Sequence, residues 1–357
     1  MKLIKILPLI LILITFLTSL FCFGCSNNSL ESQNKELTGS RNYKWDTDTL
    51  PISGALINCI WGSSENNVWV SGIGVMGIFQ FNGILWSYTP LPFQRGYVSS
   101  IYGTSPTDIW IAPENEMWRY DGNGWVKYDL KIAGYEYTHI YDMTGNSADE
   151  VYAVGFIARI FNNRKYFKSA IFKFNRNGWT VIDTSIENAQ LQKIKKSSND
   201  LFFISGFREI WDEDNNNLIR LESNLFEFDR RYLRELIDYK NLVFSISKIK
   251  NNLYFSDGNN NLYKYDMNSK KFKFWKNIES LYNWGDFEGR SENDIILYHS
   301  DTSFHTKILH FNGIDTEIIY ENEKNYEILQ FILFQNSIYL CANSSLNRGV
   351  IRGVLNE

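Results

Sequence analysis

Few side chains in this sequence could carry chemistry. Four histidines (His139, His299, His305, His310) and four cysteines (Cys22, Cys25, Cys59, Cys341) are scattered over 357 residues. Protein zinc sites draw Cys and His in closely spaced pairs, and none of the histidines is so paired with a Cys or with a second His on a helix. His299 and His305 flank Asp301 in what reads as a solvated loop. The run Asp212-Glu213-Asp214-Asn215-Asn216-Asn217 opens like a calcium loop. Asn217 stands where the sharp turn needs Gly, and Ser223 where a bidentate Glu would close the shell. No glycine-rich phosphate loop and no Gly-x-Ser-x-Gly elbow is present. The expectation is therefore no metal, no cofactor and no catalytic set.

What elements would hold these residues? Composition narrows the choice. Apolar residues make up 44%, enough for a core, and the 16% of aromatics beside scarce proline favours an all-β chain. A formal charge of -4 gives no electrostatic reason to expect a nucleic-acid partner. A single long apolar run excludes a polytopic membrane protein.

Internal repeats then dominate. Trp61-Gly62-Ser63-Ser64-Glu65-Asn66-Asn67-Val68-Trp69 recurs as Tyr102-Gly103-Thr104-Ser105-Pro106-Thr107-Asp108-Ile109-Trp110, and again from Thr144 to Tyr152. Weaker copies start at Lys196 and Glu288. A second signature is an alternating strand, an Asn/Asp-led turn and another strand. Ile78 to Phe81, Asn82-Gly83 and Trp86 form the first copy; others centre on Asp121, Asn175, Asp229, Asp266 and Asn312. Asn-Gly and Asp-Gly are strong hairpin signals, read here as turns with positive φ at both residues.

Four strands per unit of about 40–50 residues is a β-propeller blade. The blades fall at 56–90, 97–130, 137–184, 189–238, 242–278 and 281–321. Residues 326–355 supply only three strands of a seventh, while Tyr43 to Leu50 reads like the missing outer strand. The expected fold is all-β: a seven-bladed β-propeller, residues 43–357, closed by an N-terminal strand that completes the last blade. A β-sandwich followed by another domain is the alternative, and it would have no split unit. Cys59 and Cys341 then fall in neighbouring blades, where a disulfide could staple the closure if their Cα atoms lie within about 7 Å.

The Trp-Gly-Ser-Ser-x-x-Asn-Val-Trp and Phe-Asn-Gly-x-x-Trp pattern resembles repeats of bacterial exported propellers, well over 43–184 and loosely beyond. Asn252 to Asp266 is more similar to quinoprotein-type repeats. The resemblance implies architecture and export rather than chemistry. Residues 1–24 fit that context: Lys2 and Lys5, an apolar run from Ile6 to Phe23, then Gly24-Cys25. The segment resembles a bacterial lipoprotein signal, which implies cleavage before Cys25 and lipid on it, with Ser26 favouring the outer membrane. An uncleaved helix anchor is the alternative. Residues 25–42, rich in Ser, Asn, Gln, Glu and Lys, read as a flexible tether.

Extra length maps to loops, often on a binding face. Phe156–Lys168 in blade three brings Arg159, Arg164 and Tyr166; Arg208–Asn224 in blade four brings Arg208, Trp211, Asp212 and Asp214. These residues are the candidate binding patch. The expected function is a monomeric, lipid-anchored, non-enzymatic binding propeller of the bacterial cell envelope, its partner an envelope protein or a glycan. One alternative is a carbohydrate-active enzyme using carboxylates at the channel mouth. Asp46-Thr47-Asp48 and Asp212-Glu213-Asp214 match the short Asp-x-Asp pattern of metal-dependent glycosyltransferases, without the βαβ pattern that binds nucleotides. The other alternative is an outer-membrane assembly scaffold.

Overall fold

The computed structural model describes residues 39–93, 96–161, 164–198, 201–212, 217–240, 245–279, 286–300, 306–321, 326–344 and 347–356. Twenty-eight β-strands lie among these residues, in seven four-stranded sheets. β1 (Tyr43–Thr49) stands apart in sequence. Blade one is β2 (Leu56–Ser64), β3 (Asn67–Ile73), β4 (Gly77–Phe81) and β5 (Trp86–Pro90). Blade two is β6 (Val98–Ser105), β7 (Asp108–Pro113), β8 (Glu116–Tyr120) and β9 (Trp125–Asp129). Blade three is β10 (Tyr137–Ser147), β11 (Glu150–Phe161), β12 (Arg164–Asn175) and β13 (Gly178–Asp183). Blade four is β14 (Ala189–Ser198), β15 (Leu201–Asp212), β16 (Asn217–Phe228) and β17 (Leu233–Lys240). Blade five is β18 (Ile246–Ile249), β19 (Asn252–Ser256), β20 (Asn261–Asp266) and β21 (Lys271–Asn277). Blade six is β22 (Asp286–Ser291), β23 (Asp294–Ser300), β24 (Thr306–Phe311) and β25 (Thr316–Glu321). Blade seven is β26 (Glu327–Leu333), β27 (Ser337–Asn343) and β28 (Arg348–Leu355), with β1 as its fourth strand.

The chain is thus a seven-bladed β-propeller. Strands are lettered A to D outward, and the A strands of successive blades pack beside one another around the channel. Antiparallel order puts the A–B and C–D turns on one face, called lower here, and the B–C and D–A connections on the other, called upper.

Each sheet buries both faces, so the core is seven layers between blades. Val68 and Val70 of β3 pack toward blade seven with Tyr339 and Val350, while Trp69 packs toward blade two with Ile109 and Trp118. The layer between blades six and seven joins Ile296 and Ile308 to Ile338, Leu340 and Ile351. Burying one such side chain fully stabilises by roughly 1.5–3 kcal/mol. This explains why the second strands read as continuous apolar runs rather than alternating ones.

Closure is the split unit expected from sequence. β1 pairs with β28 through seven residue pairs, from Tyr43↔Leu355 to Thr49↔Gly349. Trp45 donates from Nε1 to the Ile319 carbonyl (2.9 Å) and packs on Tyr320 of blade six. Asp48 accepts from Trp86 Nε1 of blade one (3.0 Å), so the second acid of Asp46-Thr47-Asp48 is a rim fastener. Residues 39–42, the end of the expected tether, are docked: Gly39 N donates to the Asn293 carbonyl, and Arg41 pairs with Asp315 and Glu317.

The repeat signatures acquire specific causes. Gly103 lies under the Trp61 ring, where a Cβ would come within 2.5 Å. At the C–D turns the first Asn or Asp accepts backbone N–H bonds from residues two or three further on. Asn82, Asp121, Asn175, Asp229, Asp266 and Asn312 all do so. The first residue never has positive φ; the second does in blades one, two, four and six (Gly83, Gly122, Arg230, Gly313), whereas in blades three and five it is Gly178 and Lys270 further on. These are Asx-capped loops rather than two-residue turns with both φ values positive, which corrects the sequence expectation.

The described residues of the insertions in blades three and four are also not loops. β11 and β12 pair continuously from Val151↔Phe174 to Phe161↔Arg164. β15 and β16 pair from Phe202↔Phe228 to Asp212↔Asn217. Both strands of each hairpin lengthened together, so the ladder simply continued. Cys59 and Cys341 are free, buried thiols and form no disulfide. Cys59 lies in the layer between blades one and two, with its thiol toward the Val98 carbonyl. Cys341 lies between blades seven and one, so the sheet of blade one separates them.

Gly103→Val should destabilise the ring by about 2 kcal/mol, because the new side chain meets the Trp61 indole packed over it. Urea unfolding of the two proteins measures the difference, and an unchanged midpoint would refute the close-approach account.

Candidate functional site

Among the described residues, the hairpins of blades three and four stand highest on the upper face. Second strands elsewhere have five to seven residues, whereas β11 and β15 have twelve. The surplus of about five residues raises each tip by roughly 17 Å at the usual rise per strand residue. The blade-three hairpin is braced below by Phe156, Ala158 and Phe167 packed with Tyr137 and Tyr141. Lys165 Nζ lies over the Phe156 ring at 4.8 Å. Ile160 and Phe161 at one tip, and Leu218 and Ile219 at the other, are exposed.

The structure brings part of the sequence-derived patch together. Arg159 is exposed and stands opposite half-buried Tyr166 in the ladder, and Arg164 pairs with Phe161 at the tip. Arg208 and Trp211 lie on β15, Trp211 donating to Glu209 Oε2 (2.9 Å). Asp212 pairs through its backbone with Asn217, and Asp214 lies outside the described residues. Cys25 and His305 also lie outside them.

Sequence reasoning missed Glu222, the residue around which blade four's hairpin is organised. It is buried, and it accepts from Arg220 Nε (2.8 Å) and Nη2 (2.5 Å) and from Arg208 Nη2 (3.0 Å). The Arg220 bonds hold its carboxyl below the usual range against the opposing effect of burial, and Arg208 reinforces them. Two guanidiniums on one carboxylate leave a net positive centre. Alternation could have found it, since Arg208, Arg220 and Glu222 share one face of the hairpin.

Beneath lies a cavity of about 350 Å³ between blades three and four. Ile186, Phe226 and Leu233 give it an apolar floor; Glu187, Arg208, Asn224 and Glu235 give polar walls. Asn224 donates to Glu235 Oε1, and Arg208 Nε is buried without a partner. Lys168 closes the rim through an ion pair to Glu187 (2.9 Å). An apolar floor with a few convergent donors and acceptors suits a small polar ligand or a side chain of a larger one.

The channel mouth beside it is aromatic. His139 stacks on Phe156 (5.3 Å), meets Tyr141 edge-on (4.5 Å) and lies near Tyr97 (5.2 Å). Burial, helped by the Lys165 charge, lowers its pKa to about 4. Tyr141 donates to Gln190 Oε1 (2.7 Å), and burial pushes its phenol up to about 12.

Deeper in the channel, charges from blades three, four and six meet. Lys193 donates to Asp286 Oδ2 (2.6 Å) and Ser245 Oγ (3.0 Å), while Ser245 Oγ donates to Asp286 Oδ1 (2.5 Å). Asp142 accepts backbone bonds from Met143 and Ile194 (both 2.9 Å). Burial raises the pKa of Asp142 and of Glu288, whereas Lys193 and Ser245 hold Asp286 low despite burial. Lys195 stays firmly protonated despite burial because Asp142, Glu288 and Asp286 surround it. About a third of the Lys193 and Asp286 side chains reaches solvent, so the lumen is wet. Among the described residues, no three metal-ligating side chains converge.

Neither a family model nor a curated protein matches this chain. Solved propellers do. Virginiamycin B lyase from Staphylococcus aureus, a structure of a catalytically inactive variant with quinupristin, has a TM-score of 0.64 at 14% identity. The match covers 88% of this chain and 100% of that one. YCF48 from Cyanidioschyzon merolae has a TM-score of 0.58 at 11% identity, covering 87% and 98%. The extracellular domain of a protein described as a hybrid two-component system from B. thetaiotaomicron has a TM-score of 0.56 at 11% identity, covering 88% and 42%. At these identities the similarity shows the propeller fold alone. The fold serves a lyase in one neighbour and the extracellular domain of a two-component system in another.

The lowered His139 pKa carries a pH dependence. Its folded value of about 4 lies below the 6.5 of a free imidazole, so protonation favours the unfolded chain. The contribution is intact above about pH 6.5, falls as pH drops toward 4, and is on the order of 3 kcal/mol in all. Comparing wild type with His139→Phe isolates it from the carboxylates. The gap in melting temperature between the two should shift toward the variant as pH falls from 7 to 4.5. A constant gap would refute the assignment.

Proposed function

We propose that this chain is a lipid-anchored, non-enzymatic binding propeller of the bacterial cell envelope. It captures an envelope protein or a glycan on its upper face, between the raised hairpins of blades three and four. The single observation behind this reading is the pair of adjacent hairpins with exposed apolar tips above a polar-walled cavity. A folded chain gains nothing for its own stability by exposing Ile160, Phe161, Leu218 and Ile219. Their rim is charged, with Arg159 and the Arg208–Glu222–Arg220 centre beside them. Apolar anchors framed by arginine and aromatic groups are the usual composition of a binding hot spot.

Anchoring through lipid on Cys25 rests on the sequence signal: a basic start, an apolar run and Gly24-Cys25. In cells, Cys25→Ser should move the protein from the membrane pellet to the soluble or secreted fraction, with loss of incorporated labelled palmitate. Retention of both would refute lipidation.

A second reading has one observation in its favour. Asp286 and Glu288 project from the same face of β22, two residues apart, with pKa values pushed in opposite directions. Such a divergence can mark an acid and a base acting on a glycoside. Against it, Lys193 and Ser245 occupy both oxygens of Asp286, and Lys195 sits beside Glu288. The two readings separate cleanly. Ile160→Asp with Ile219→Asp should reduce capture from a membrane extract at least tenfold while the melting temperature holds. Glu288→Gln should leave capture unchanged. Hydrolysis of an envelope glycan that disappears in Glu288→Gln would favour the enzyme instead.

A further inference from the structure

The lower face carries a feature that neither folding nor the upper-face site uses. Three large apolar side chains among the described residues are more than 70% exposed: Ile84 (87%), Ile314 (77%) and Tyr232 (73%). All three sit at the tips of C–D turns, in blades one, six and four. Leu85 and Met267 are exposed at the same turns of blades one and five. Turn chemistry does not ask for them. These loops need an Asx cap first; in blades one, two and six a positive-φ Gly follows, and the third side chain is unconstrained, so that blades two and three place Asn123 and Asn177 there. A β-branched isoleucine is a poor turn residue, yet it recurs in that slot in blades one and six.

Charge on the same face is arranged to match. Arg231, Lys270 and Lys271 are exposed at the turns of blades four and five. The neighbouring acids are engaged: Asp229 and Asp266 cap their own turns, Asp266 also binds Lys273, and Asp315 holds Arg41. The chain also enters the ring here. Gly39 bonds to Asn293 in the A–B turn of blade six, and Arg41 to Asp315, the neighbour of Ile314. Residues 26–38 separate Cys25 from Gly39 and span at most about 45 Å extended.

We propose that the lower face rests on an anionic lipid bilayer. The apolar turn tips enter the interface, and Arg231, Lys270 and Lys271 meet headgroup phosphates. Apolar tips with basic neighbours are the chemistry of interfacial attachment, and a single lipid signal gains firmness from a second weak one. The inference builds on the proposed anchor but adds an orientation: the blade-three and blade-four hairpins point away from the membrane, toward a partner beyond it.

The test uses the chain beginning at Ser26, which holds every strand of the closed ring and no lipid. Flotation with phosphatidylethanolamine–phosphatidylglycerol vesicles (3:1) should recover the wild type, and raised salt should weaken binding. The variant Ile84→Ser, Tyr232→Ser, Met267→Ser, Ile314→Ser should bind at least tenfold less with an unchanged melting temperature. Lys270→Glu with Lys271→Glu should bind severalfold less, and the upper-face pair Phe161→Ser, Ile219→Ser should bind as wild type. No binding by the wild type, equal binding by the fourfold variant, or loss only in the upper-face pair would overturn the proposal. So would a wild-type dimer that the fourfold variant abolishes, since the tips would then serve self-association. Palmitate labelling of the full chain at Cys25 is read separately, so the anchor and the orientation can fail independently.

Discussion

Ring closure by seven backbone pairs between β1 and β28 is the constraint on which the molecule depends. A blade is an amphipathic sheet with two apolar faces, and neither can be satisfied within one unit. Each of the seven layers draws side chains from two blades, so the removal of any blade face would expose both neighbours. Without β1, β28 would be an open edge and the layer between blades six and seven would lose Tyr43 and Trp45. The closure also recruits polar groups. Tyr43 accepts from Arg290 Nη2 (2.9 Å), while Arg290 holds Asp294 and donates to the Phe334 carbonyl (2.7 Å). His310, wholly buried, meets the same Asp294 (3.0 Å). One network therefore joins the N-terminal strand, blade six and blade seven.

The architecture was legible because its signals are local and repeated. Blade limits read from Trp-Gly-Ser-Ser units and Asn/Asp-led turns fall within a few residues of the observed strands, and the split seventh blade followed from counting strands. Two local details were misread for physical reasons. Asn-Gly suggested a two-residue turn, but the Asn carboxamide reaches back to cap later N–H groups, so only Gly83 or Gly313 needs positive φ. Extra length suggested loops, but insertions matched on both strands extend a ladder.

Long-range pairing was not legible. Nothing local in Lys193 announces Asp286, 93 residues away, or Ser245 between them. The burial of Glu222 depends on two arginines, one of them fourteen residues distant. The Asp or Glu that opens a second strand read as turn chemistry. In three blades it instead accepts from a basic residue of the next strand: Arg119 to Asp108, Lys173 to Glu150, His310 to Asp294. That pairing was recoverable in principle, since each base lies at a fixed place in its blade.

The two faces differ in a way the fold itself does not require. A propeller needs short, polar turns on both faces to be stable and soluble. Here the upper face departs through lengthened hairpins, and the lower through exposed Tyr232 and through isoleucine at a turn position that holds Asn in three other blades of the same ring. Departures confined to one face could be drift in a repeat. Departures on both faces, of different kinds and each with its own charge setting, support the two separate surfaces proposed above. The channel joins neither: its lysines and carboxylates are mutually paired across blades three, four and six, which ties the wall together.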